Sequence, residues 1–170
     1  RRHSFPTRRS SDLIFLAFLC MGFGDVVGPL TSQVQSDFHL SNFLAGLLTF
    51  MGFIMFGLLS IPLGIIQDRV GKRKVLIFGL AVALLGLILP IIGNFSSFVV
   101  LLVSILMLGA GATSLQVAGN PIMRDVSPEG KYSRNLSLGQ FVKAIGSLSG
   151  SLVPLIAAKY WGLDWKILFP

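Results

Sequence analysis

Long apolar runs alternate with short polar connections over most of this 170-residue chain. A helix that crosses the hydrocarbon core of a bilayer needs roughly 20 mainly apolar residues. Five such stretches can be drawn, at 14–35, 43–66, 75–92, 98–123 and 136–158, and a sixth starts near Trp165 and runs to Pro170. Hydrocarbon leaves open backbone groups without partners, and the alternating pattern of a membrane strand is absent from these runs. The pattern therefore predicts an all-α, polytopic transmembrane helical bundle of about five complete spans, with no soluble domain between them.

The polar connections differ in charge. "DRVGKRK", between the second and third spans, carries Arg69, Lys72, Arg73 and Lys74 against Asp68. "RDVSPEGKYSR", between the fourth and fifth, carries Arg124, Lys131 and Arg134. The intervening "SDFHLSN" and "IIGNFSSF" hold no Lys or Arg. Basic loops stay on the cytoplasmic side, so the expected orientation is a cell (plasma or inner) membrane protein with a cytoplasmic N-terminus. Tyr160, Trp161 and Trp165 then fall at the outer interface, where aromatic rings sit well.

Composition agrees with a bilayer and excludes the readings that charge alone would suggest. The chain is 53% hydrophobic and 12% charged, with 14 Lys+Arg against 7 Asp+Glu. A pI of about 10.2 invites a nucleic-acid partner, yet a mean hydropathy of +0.79 assigns the basic residues to membrane flanks, so no nucleic acid is expected. Residues 1–13 also inflate the charge. "HSFPTRRSSDL", from His3 to Leu13, resembles a translated sequencing-library adapter without a mismatch, so residues 1–13 are expected to be a non-native tail and are set aside from fold reasoning. They hold four Arg and one Asp, and without them ten basic face six acidic residues, net +4. Cys20 is the single cysteine, so no internal disulfide is possible. The two histidines make no metal cluster, and no nucleophile–base pair is visible, so neither cofactor, metal nor catalytic residues are expected and an enzyme is disfavoured. "GFGDVV" and "GAGATS" have dinucleotide-loop spacing, but they lie inside spans and not between a strand and a helix.

Polar side chains within the spans are the candidate chemistry. Asp25 lies eleven residues into the first span, about 16 Å along a helix and so near mid-membrane. A carboxylate there is costly unless it faces a cavity or a partner; the alternative is a buried structural hydrogen-bonder. Thr113, Gln116 and Asn120 fall at i, i+3 and i+7 on one face of the fourth span. Amides on one face suit the donor–acceptor pattern of a sugar hydroxyl, and interhelical amide contacts are the alternative. In the fifth span Gln140 and Lys143 share a face. Lys143 is a candidate partner for Asp25, with snorkelling to the cytoplasmic interface as the alternative.

"GIIQDRVGKRK", Gly64 to Lys74, resembles the loop signature of the major facilitator superfamily: Gly, three residues, Asp-Arg, one residue, Gly, two basic residues. Gly64 and Gly71 would allow close approach and a tight turn, and Asp68 would sit at a helix N-terminus or pair with arginine. "GFGDVVGPL", "GAGATSLQVAGNP" and "SLGQFVKAIGS" are similar to the fucose:proton symporter branch of that superfamily's sugar transporters. The branch carries an Asp shortly before a proline in its first helix, matched by Asp25 and Pro29. It also carries an acid four positions before Asn-Pro in its fourth helix, where this chain has Gln116.

The resemblance implies residues 14–170 as an incomplete N-terminal six-helix half, with one three-helix repeat at 14–92 and a truncated second at 98–170. It implies secondary active uptake of a hexose or deoxyhexose by alternating access, with a proton as the candidate coupling ion. Substrate or proton would be held by Asp25, Gln116, Asn120, Gln140 and Lys143. Gly64, Asp68, Arg69, Gly71, Lys72 and Arg73 would form a cytoplasmic gating latch. The partners implied are a small-molecule sugar, the lipid bilayer and a C-terminal half of the same chain. Efflux of sugars or drugs by the same fold is one alternative, and a non-transporting membrane scaffold or sensor is another.

Overall fold

The computed structural model describes residues 8–23, 27–93, 95 and 97–161. Six helices follow in order: α1 (Arg8–Phe23), α2 (Val27–Asp37), α3 (Asn42–Val70), α4 (Lys72–Ile92), α5 (Phe98–Val126) and α6 (Tyr132–Trp161). No strand occurs among the described residues. Helices α3, α4 and α5 are each long and apolar enough to cross a membrane. The first expected span is described as α1 and α2, on either side of residues 24–26, and the fifth as α6. The sixth, from Trp165, lies outside the described residues.

Residues 1–13 are expected to be a non-native tail, and α1 starts at Arg8 within that segment and runs on into the apolar stretch. One expectation about boundaries is corrected. The expected loop between the second and third spans is almost entirely helical. α3 continues to Val70 and α4 begins at Lys72, which leaves Gly71 as the whole connection. Gly71 has φ 96° and ψ 140°, a conformation closed to residues with a Cβ. Its N–H donates to the Gln67 carbonyl at 2.8 Å, and its own carbonyl accepts from Lys74 and Val75. One residue thus ends one helix and starts the next. At the other end of α3 the Ser41 hydroxyl caps the helix by accepting the Leu44 N–H at 3.4 Å.

α5 is the central element and packs against α1, α3, α4 and α6, most extensively against α4. Small residues make this possible. A Cβ at Gly79 on α4 would lie 2.7 Å from Ser114 Cβ and 3.0 Å from the Gly111 carbonyl oxygen, so glycine alone lets α4 and α5 lie this close. On another side of α5, Gly109 rests on the backbone of Gly52 in α3. "GAGATS" is therefore a helix-packing segment.

Proline at 90, inside α4, has no N–H to give the Gly86 carbonyl. Ser104, fully buried on α5, supplies the missing donor, Oγ to the Gly86 oxygen at 2.5 Å. Val34, Leu48, Leu101, Ile105 and Leu108 form one apolar cluster, and Ile14, Phe18, Met21, Ala112, Leu115 and Met123 form another between α1 and α5. Large apolar side chains also point outward, among them Phe43, Phe50, Phe53 and Ile61 on α3 and Ile77, Phe78, Leu84 and Leu85 on α4. Such faces suit hydrocarbon as their solvent.

Candidate functional site

Gln116 and Lys143, 27 residues apart in the chain, meet between α5 and α6. Lys143 Nζ donates to Gln116 Oε1 at 3.3 Å, and both residues are half-buried. One turn further along α5, Asn120 Oδ1 is buried and has no hydrogen-bond donor among the described residues. Thr113, expected on the same polar face, is spent locally. Its buried hydroxyl donates to the Gly109 carbonyl one turn back, at 2.7 Å. Gln140 is exposed on α6 and is not brought to Gln116. Asp25, and with it the expected Asp25–Lys143 pairing, lies outside the described residues.

Close approach of α1 and α6 sets the position of Lys143. A Cβ built on Gly22 would collide with the Lys143 carbonyl oxygen and lie 3.0 Å from the Ser147 nitrogen. Lower on the same interface, Gly139 lies against the Phe18 ring. α1 and α5 enclose a narrow apolar crevice lined by Ala17, Phe18, Met21, Leu115 and Gly119. These five residues give it an apolar lining, and it is too tight to admit a water-sized molecule.

The basic end of the bundle is arranged differently from expectation. Asp68 is in the last turn of α3, not at a helix N-terminus. It is exposed and forms no ion pair among the described residues. The helix extends past it because Gly71, not the Asp-Arg pair, ends α3. Gly64 is half-buried, and a Cβ there would meet nothing within 4 Å, so the close approach expected of it is not to any described part of the chain. Arg69 and Arg73 are exposed.

The ion pair that does form is Lys72 Nζ to Asp125 Oδ2 at 2.7 Å, joining the first residue of α4 to the last turn of α5. Sequence reasoning missed Asp125, because two charges 53 residues apart carry no sign that they meet. Beside it, Ser127 donates to the Met123 carbonyl at 2.6 Å and accepts from Asn135 Nδ2 at 3.0 Å, tying the end of α5 to the start of α6. Gln67 Oε1 is a second buried acceptor without a donor among the described residues.

Comparison with known proteins places the chain in a family. The model of the Major Facilitator Superfamily matches residues 13–169. The chain is 27% identical over 150 residues to the L-fucose-proton symporter of Escherichia coli (strain K12), which covers 87% of this chain and 33% of the symporter. It is 28% identical over 148 residues to the glucose/galactose transporter of Brucella abortus biovar 1 (strain 9-941), 84% of this chain and 34% of that protein. The chain spans about a third of the length of these relatives. No solved structure matches it.

Proposed function

The chain belongs to the major facilitator superfamily, and from that premise we propose that it is the N-terminal part of a secondary active transporter for a hexose or deoxyhexose. A multi-pass membrane protein of this kind works by alternating access, its two halves rocking around a site near the bilayer midplane. The observation that carries the reading is the Gln116–Lys143 contact, with the unpartnered Asn120 oxygen one turn away. Polar groups inside a membrane bundle are costly and mark substrate or ion paths. Sugars are recognised by the mixture of donors and acceptors that side-chain amides supply. The names of the relatives, a fucose-proton symporter and a glucose/galactose transporter, support the same substrate class.

On this reading Gln116, Asn120 and Lys143 line the site, and Asp25 and Gln140 contribute from the first and fifth spans. A proton is the candidate coupling ion, and Asp25 is its candidate carrier. The basic end holding Lys72, Arg73 and Lys74 faces the cytoplasm. There Lys72–Asp125, with Asp68 nearby in sequence, forms the latch governing exchange between inward and outward states.

The test is uptake by the full-length protein in proteoliposomes. Labelled L-fucose, D-glucose and D-galactose are offered with and without an imposed inward proton gradient. Accumulation of at least one sugar, lost in Gln116→Ala, supports the reading. Binding without transport would favour a sensor, and outward pumping would favour an efflux carrier.

A further inference from the structure

Two contacts between helices draw together the end of the bundle that holds Gly71. Lys72–Asp125 joins the start of α4 to the end of α5, and Ser127–Asn135 joins the end of α5 to the start of α6. Outside that ion pair, and from α3 onward, this end exposes Arg69, Arg73, Lys74, Arg124, Lys131 and Arg134. Against them stand two exposed acids, Asp68 and Glu129, for a net charge of +4. At the opposite end, Lys159 is the only Lys or Arg among the described residues of that stretch.

The two sides of α4 show what its cations border. One side is pressed on α5 through Gly79 and Gly86, with Val75 and Pro90 buried on the same side. The other side exposes Ile77, Phe78, Leu84, Leu85, Ile88 and Ile91 along its length. Arg73 and Lys74 precede Ile77 and Phe78 by one turn, on the same face and about 6 Å further along the axis. A face that suits hydrocarbon thus ends in two cations at the level of the headgroups. Both are exposed, and neither forms an ion pair among the described residues, whereas Lys72 is neutralised by Asp125.

We propose that this face of α4 is a docking surface for an anionic phospholipid. The lipid phosphate accepts hydrogen bonds from the Arg73 guanidinium and the Lys74 ammonium, and the acyl chains lie along the side chains from Ile77 to Ile91. A zwitterionic headgroup gains less, because it carries its own cation beside the phosphate. The surface requires only a membrane-spanning chain, whatever the substrate, so lipid binding tests it apart from transport.

The full-length protein, purified in detergent, is offered equimolar phosphatidylglycerol and phosphatidylcholine with identical acyl chains. Native mass spectrometry reads which lipid is retained. Wild type should prefer phosphatidylglycerol, and the preference should shrink in high salt. Arg73→Gln and Lys74→Gln should each lower it by about fivefold, the scale of one cation at a membrane surface. Arg73→Lys keeps the charge and should keep most of the preference, and Lys159→Gln, at the other end, should leave it unchanged.

Equal retention of the two lipids by wild type overturns the assignment, as does a preference that survives in the Arg73→Gln, Lys74→Gln double variant. A loss as large in Lys159→Gln would reduce the effect to net charge and overturn it too. Displacement of bound phosphatidylglycerol by inorganic phosphate alone would make the surface a site for a soluble anion, not a lipid.

Discussion

Ser104 of α5 donates to the Gly86 carbonyl of α4 at 2.5 Å, and Gly86 is the residue whose helical donor Pro90 removes. A serine on one helix thus completes the backbone of another. The pair predicts a dependence that no single substitution would reveal. Ser104→Ala should destabilise the full-length protein by about 1–3 kcal/mol, the penalty for a buried carbonyl left without a donor. In a Pro90→Ala background the N–H of residue 90 returns, and the same substitution should cost little. Thermal melts of the four proteins in detergent measure the coupling, and additive effects would refute it.

The Lys72–Asp125 pair makes a different kind of prediction. Its side chains are 36% and 55% exposed, so its loss should change stability by no more than about 1 kcal/mol, and less in high salt. Its effect should appear in exchange between transport states. Lys72→Asp should slow turnover with little change in KM, and the charge-swapped double variant with Asp125→Lys should recover much of the rate. Asp68→Asn, which breaks no ion pair seen here, should likewise lower turnover more than affinity.

Two glycines of one motif should respond in opposite directions. Gly71→Ala forces a Cβ into φ 96° and should cost about 1–3 kcal/mol. Gly64 lies within α3 with open space around it, so Gly64→Ala should be neutral or stabilise the chain by up to about 1 kcal/mol through helix propensity. Chemical or thermal denaturation of the purified variants distinguishes the two. Loss of transport by a stable Gly64→Ala protein would show that Gly64 abuts the second half of the transporter.

Gly22→Ala should disturb the site without changing a polar side chain. The added methyl meets the Lys143 carbonyl, so α6 must move away from α1 and carry Lys143 with it. Sugar affinity, read by competition against labelled sugar in proteoliposomes, should weaken. Full affinity in a folded Gly22→Ala protein would mean that the α1–α6 approach does not set the site.

What the sequence by itself determined was local and periodic. Apolar stretches of membrane length dictate helices because hydrocarbon offers the backbone no other partner, and α3, α4 and α5 follow those stretches. Their basic ends, the glycine–aspartate–arginine motif and the amide face of α5 were equally legible, since each needs only neighbours within a few turns. The end of α3 was misplaced because a polar run looks like a loop, whereas the conformation of Gly71 permits two helices to abut with one residue between them. Tertiary structure alone decided which polar groups meet: Lys143 with Gln116, Lys72 with Asp125, Ser104 with the carbonyl opposite Pro90. Those pairings depend on how closely helices approach and at what level. That is set by glycines such as 22, 79 and 109 pressing on distant backbone, a relation that no spacing along the chain encodes.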